Sequence, residues 1–239
     1  MTHAVREYPD AAAAIDACAE QILGWMREAI EEKGQAALAV SGGSSPRKMF
    51  EKFARTQFDW NHVHLFWVDE RGVPPTDSQS NYRLTHDSWL EPGKFPSANI
   101  HRIQAELDPA VAAERYVEDI QRFFALVPGK LPRFDVIHRG MGPDAHTASL
   151  FPGEPLIENR AGIAAAVWVE KFQQWRITLL PGVLLAAQHT AMMVTGADKT
   201  AALRSVLHAP FDPLQYPAQL ASDDGVVWFV DAAAAQETQ

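Results

Sequence analysis

The chain has 239 residues, 47% hydrophobic and 21% charged, proportions that fit a folded globular protein and exclude a mainly disordered one. Its formal net charge of −9 excludes the clustered Lys and Arg surface that neutralises nucleic-acid phosphates, so no nucleic-acid partner is expected. An anionic substrate would need a local positive pocket on a negative molecule. The single cysteine, Cys18, allows no internal disulfide and no thiolate metal cage, and points to a reducing compartment. Its helical spacing with Ile15, Ile22 and Met26 reads it as a buried apolar residue. The opening MTHAVREYPDAAAA carries charges where a secretory leader needs an apolar core. The longest uncharged apolar stretch, AGIAAAVWV, is about half a membrane span, so a cytoplasmic protein without a membrane anchor is expected.

In chain order, Ile15, Cys18, Ile22, Met26 and Ile30 follow a period of three to four and predict a helix over 11–33, with Asp10 as N-cap. AALAV (36–40) predicts the first strand, SGGSSP a loop, and RKMFEKF a second helix starting near Pro46. VHLFWV (63–68) predicts another strand, ending in DERGVPP. A short helix is expected around Leu84 to Leu90 and a short extended segment at IHRI. LDPAVAAERYVEDIQRFFA predicts a helix capped by Asp108 with Pro109 at its first position, Val111, Tyr116, Ile120 and Phe124 sharing a face. FDVIH (134–138), AAAVWVEK, WRITLL, AMMVTG and VVWFV (226–230) predict further strands, with a helix from about Asp198. The tract HAPFDPLQYPAQL reads as a surface connection within a single domain over 1–239. Strands that alternate with helices, several of them apolar without a period of two, predict an α/β fold: a three-layer, mostly parallel open sheet with helices on both faces.

In such sheets ligands bind outside the carboxyl ends of the strands, and the polar signals fall there. SGGSSP follows one strand, DERGVP another, GMGPDAH a third and TGADK a fourth, so four loops should meet at one rim. Gly42 and Gly43 permit close backbone approach, Ser41, Ser44 and Ser45 offer hydroxyls, and the following helix aims free N–H groups at the same point, which suits a phosphate. A tight turn alone would read the same way. Arg71 can grip a phosphate or carboxylate through paired N–H groups, unless it pairs structurally with Asp69 or Glu70; Lys199 adds a point charge. His146 carries an imidazole, a side chain suited to passing protons, follows Asp144 by two residues, and stands on a loop at that rim, which makes it a candidate acid or base. The other eight histidines are assigned no role.

Read together, SGGSSP, DERGVP with SNY after it, GMGPDAHTASLFPG, RITL, VTGADK and VVWFVD resemble the glucosamine-6-phosphate isomerase/6-phosphogluconolactonase family, over about residues 38–231. GMGPDAHTASLFPG is the specific motif; the deaminases of the family share only its first half. The resemblance implies a Rossmann-like fold shared with those deaminases and with ribose-5-phosphate isomerases. The implied activity is hydrolysis of 6-phospho-D-glucono-1,5-lactone to 6-phospho-D-gluconate, the second step of the oxidative pentose phosphate pathway, with no cofactor and no metal. His146 would be the base that activates water, oriented by Asp144 or Asp69. SGGSS, Arg71 and Lys199 would surround the phosphate or hydroxyls, with Arg102 and Arg176 as further candidate contacts, and Ser149 would cap or pack. The expected partner is a small phosphorylated sugar lactone, and the protein is expected to be a monomer or a homodimer.

Three residues depart from the family pattern. Ala145 stands where glycine is usual and would cost about 1 kcal/mol if that position needs positive φ. Arg139 replaces an apolar residue, and Leu185 stands where asparagine is expected. Two rivals are weighed against the lactonase. A sugar-phosphate isomerase or deaminase would use Asp69 as its carboxylate base. A non-catalytic sugar-phosphate sensor would need a DNA-binding module, for which one acidic helix before the first strand is too little.

Overall fold

The computed structural model describes residues 4–221 and 225–236. Strand β1 (Ala4–Tyr8) opens the chain, ahead of α1 (Ala11–Lys33). The sequence reading places the first strand only at residue 36; β1 is half-exposed and lacks an apolar run, and its strand character comes from parallel pairing along the edge of the sheet. Asp10 caps α1 by accepting from Ala13 N, and Gly34 at φ +82° ends the helix and turns the chain into β2 (Ala36–Val40). All five residues of β2 are buried, as a strand covered on both faces requires.

There follow α2 (Ser44–Arg55), β3 (Val63–Trp67), β4 (Asp69–Arg71), α3 (Asn81–Thr85), β5 (Ile100–His101), α4 (Pro109–Phe123) and β6 (Val136–Gly140). The expected 84–90 helix starts earlier: α3 runs into a single π-helical turn over His86–Leu90. α4 is capped by Asp108, whose carboxylate accepts from Ala110 N and Val111 N. The α2 side chains Phe50 and Phe53 are fully buried and pack on Trp89, with ring centroids 5.8 and 4.9 Å away. Each such burial stabilises by roughly 1.5–3 kcal/mol. β7 (Ala164–Val169), β8 (Gln174–Leu179), α5 (Pro181–Ala186), β9 (His189–Val194), α6 (Thr200–His208), β10 (Val226–Asp231) and α7 (Ala232–Ala235) complete the chain.

Seven strands form a wholly parallel sheet in the order β1-β10-β9-β6-β2-β3-β5, within the expected α/β class. The 164–169 and 174–179 segments, expected in that sheet, instead form a second, antiparallel sheet with β4. Their connection is a four-residue turn, which allows a hairpin and is too short for a parallel crossover. The proline-rich tract is exposed over Pro210 and Phe211 but dives inward at its end, where Pro217–Leu220 are buried. Between β2 and β6 the winding of the sheet reverses: the chain runs from β2 outward through β3 to β5, then returns to β6 on the other side of β2. Such a reversal leaves a crevice at the carboxyl ends of the two strands.

Candidate active site

The loops after β2, β6 and β9 and the strand β4 surround a cavity of about 250 Å³ at that crevice. Ser41, Gly42, Gly43, Ser44, Asp69, Arg71, His146 and Lys199 all line it, so eight of the nine site residues expected from sequence meet there. Asp144 stands behind His146 and does not line the cavity itself. Ser45, Asn81, Thr195 and Arg176 join the lining. Thr195 directly follows β9, so the rule that placed the other loops at strand ends reaches it too; its hydroxyl bonds that of Ser45 at 2.7 Å.

His146 is partly buried. Its Nδ1 lies 2.5 Å from Asp144 Oδ1, and its ring stacks on Phe151 with centroids 4.2 Å apart. The His146 bond, aided by the Lys171 ammonium 3.0 Å from Oδ2, holds the Asp144 carboxyl far below the usual carboxylate range. Gly142 makes this geometry possible: a Cβ there would lie 2.0 Å from His146 Nδ1. Asp69, the other expected orienting group, is turned to different partners. It accepts from Ser149 Oγ at 2.6 Å, and Arg176 Nη1 stands 4.0 Å from the same oxygen. Ser149 therefore neither caps nor merely packs; it holds a buried carboxylate.

Arg71 and Arg176 are direct cross-strand partners on β4 and β8, two guanidiniums side by side at the cavity wall. Like charges placed opposite each other destabilise a sheet, and an anion between them removes that penalty. Burial pushes the Arg176 guanidinium down, and neighbouring Arg71 pushes the same way. Lys199 pairs with Asp198 at 2.9 Å and completes a cationic wall. Arg102 does not belong here: it forms a bidentate pair with Glu106 (2.9 and 2.7 Å) and lines a separate cleft by α4.

β4 is anchored by Glu70, which is 2% exposed and accepts from Arg71 N, Ser80 Oγ, Asn81 N and Tyr82 N at 2.7–3.0 Å. Burial pushes its carboxyl up, against the pull of those four bonds. Asn81 Nδ2 donates to Asp69 O, and a Cβ on Gly42 would meet Asn81 Oδ1 at 2.0 Å, so the SGGSS and SNY segments fit only with glycine at 42.

The three departures are accommodated. Ala145 does stand at φ +65°, and its buried methyl packs in a cluster with Met141, Val194 and Ala218. Arg139 is fully buried and donates through Nη2 to Leu220 O, a backbone group that an apolar residue would not reach. Leu185 packs its half-buried side chain against the main core.

Parallel sheet, switch-point cavity, cationic wall and carboxylate-held imidazole define an α/β protein with a small polar site that sets an imidazole and several cations around one cavity. Residues 9–228 match the family described as glucosamine-6-phosphate isomerases/6-phosphogluconolactonase, and the chain belongs to that enzyme family. A 6-phosphogluconolactonase of Nostoc sp. is 36% identical over 239 residues, covering 99% of each chain. The crystal structure of a 6-phosphogluconolactonase from Thermotoga maritima superposes with a TM-score of 0.83 at 28% identity, over 96% of this chain and all of that one. A monomeric glucosamine-6-phosphate deaminase has a TM-score of 0.81 at 17% identity and shares the fold alone, with 97% of this chain and 98% of that one covered. No helix among the described residues is long and apolar enough to cross a membrane.

Proposed function

We propose that this chain hydrolyses 6-phospho-D-glucono-1,5-lactone to 6-phospho-D-gluconate, with His146 as the base that activates water. The observation that carries the reading is that His146, held from behind by Asp144, lines the same cavity as Arg71, Arg176 and Lys199. Bonded to an ionised carboxylate, Nδ1 carries the imidazole proton and leaves the Nε2 lone pair for water. Water attacks the lactone carbonyl as Nε2 takes its proton, and the resulting imidazolium, balanced by Asp144, returns it to the departing ring oxygen. The cationic wall grips the phosphate and so holds the carbonyl carbon near Nε2, turning remote binding energy into orientation. A lactone is an activated ester, so the barrier to be lowered is modest and water is the only co-reactant. In this role the protein is cytoplasmic and acts on a diffusible sugar phosphate.

The test follows acid release from freshly generated lactone against its spontaneous hydrolysis. His146→Ala is expected to lower kcat by roughly 10²–10⁴-fold with little change in KM. Full activity in that variant rejects the base assignment. The isomerase or deaminase reading asks Asp69 to act as a free base, yet Ser149 and Arg176 already engage it. Ammonia release from glucosamine 6-phosphate would nonetheless select that reading.

A further inference from the structure

The β7–β8 hairpin brings an element of no assigned role to the site. Its tip, Glu170–Phe172, is a single 3-10 turn closed by Gln173 in the left-handed region at φ +48°. Glu170 pins the turn: its carboxylate accepts from Trp168 Nε1 at 2.8 Å and from Gln173 Nε2 at 2.7 Å. Phe172 wedges against Phe151, 5.8 Å between centroids, and the Arg176 guanidinium sits 4.9 Å from its ring. Phe151 is the ring on which His146 stacks. Lys171, between Glu170 and Phe172, places Nζ 3.0 Å from Asp144 Oδ2, while Oδ1 serves His146. Both oxygens of the carboxylate are thereby occupied, and it cannot rotate without breaking one bond.

We infer that Lys171 is a positioning residue that fixes Asp144 and sets the basicity of His146 through it; the inference rests on the proposed base role of His146 only for its consequence in catalysis. An exposed Lys–Asp pair alone contributes little to stability. Its consequence here is electrostatic and local. A cation on the far side of Asp144 offsets part of that carboxylate's attraction for imidazolium, so Lys171 acts on His146 through the carboxylate that they share. The charged groups around His146 are Asp144 on its own loop, Glu170 and Lys171 at the hairpin tip, Arg176 on β8, Asp69 and Arg71 on β4, and Lys199 after β9. Among the side chains of the described residues, only Lys171 bonds Asp144 besides His146 itself.

Lys171→Met keeps the aliphatic stem and removes the charge. The His146 ring protons, followed by NMR in the unliganded protein and assigned by their loss in His146→Ala, are expected to titrate about 0.5–1 pH unit higher in Lys171→Met than in the wild type. The acid limb of kcat/KM should move up by the same amount, and Lys171→Arg should restore both. A His146 titration within about 0.2 units of the wild type in Lys171→Met overturns the inference, whether or not the variant has lost activity through altered folding. Full activity in His146→Ala overturns the base assignment instead, and leaves the titration as a separate reading of the Lys171–Asp144–His146 coupling.

Discussion

At the scale of single residues, the loop 140–146 shows what a missing Cβ does. Gly142 N donates to His146 O and Ala145 N donates to Gly142 O, so the loop folds back on itself around residue 142. An alanine methyl would overlap His146 Nδ1 at 2.0 Å and crowd Asp144 Oδ1 at 2.7 Å. Gly142→Ala must therefore displace the dyad while leaving the sheets untouched. Displacements of about 1 Å can cost around 10²-fold in rate. Such a loss in kcat, with a melting temperature within a few degrees of the wild type, is the expected result; unchanged kcat would show that the dyad does not need its present position. Ala145 behaves differently. Positive φ costs it about 1 kcal/mol and its buried methyl returns about 0.8 kcal/mol of apolar burial, so the net cost of alanine at this position is small.

At the scale of elements, β4 and α3 depend on one carboxylate. α3 has five residues, too few to be stable alone, and its N-terminus is held by Ser80 as cap and by Glu70. Glu70 Oε2 accepts from both Tyr82 N and Ser80 Oγ. Glu70→Gln turns an amide N–H₂ toward one set of donors and leaves buried N–H groups unpaired. A loss of about 2–4 kcal/mol in stability is expected by urea unfolding, together with a raised KM as Arg71 and Asn81 loosen. A variant as stable as the wild type would show that β4 holds without this bond set. The same elements mark what the sequence could express. Buried strands such as β2 read out as apolar runs, and Asp10 and Asp108 as caps, because the physics that fixes them is local. β4 is written Asp-Glu-Arg and became a strand only through its pairing with β8. β1, at an exposed edge, had no apolar pattern to read. The convergence of eight of the nine expected residues on one cavity was legible because glycine, serine, histidine and charge gather after strands. From sequence Arg176 is only a further candidate contact, and its place beside Arg71 follows from the cross-strand register, which the sequence does not express. Asp144, rather than Asp69, as the partner of His146 was equally beyond the sequence, since both acids precede the rim.

Across the whole molecule, a net charge of −9 coexists with Arg71, Arg176 and Lys199 lining one cavity, so the positive groups an anion needs are concentrated there on an otherwise acidic chain. The parallel sheet that builds the rim also buries a titratable group away from it. His138, at the centre of the sheet on β6 between β2 and β9, is fully buried, and neither ring nitrogen has a hydrogen-bond partner among the described residues. Burial alone pushes its imidazole down to about 3. In the unfolded chain the same group titrates near its ordinary value of about 6.5, so between those two pH values the unfolded state binds more protons. Stability is then fully present above about pH 6.5 and falls as the pH drops toward 3, by up to about 1.4 kcal/mol per pH unit. From pH 7.5 to 5 this one residue should remove about 2 kcal/mol. His64 and His189 are also pushed down by burial, so the total slope is shared, and a difference between variants isolates His138. His138→Leu should keep the fold, since the imidazole is fully buried and has no hydrogen bond among the described residues to lose. Urea unfolding at pH 7.5 and pH 5 should show a smaller drop in stability for His138→Leu than for the wild type, by roughly that same 2 kcal/mol. Equal drops in the two proteins would mean that His138 finds a partner or water in solution and that the sheet does not carry this acid sensitivity.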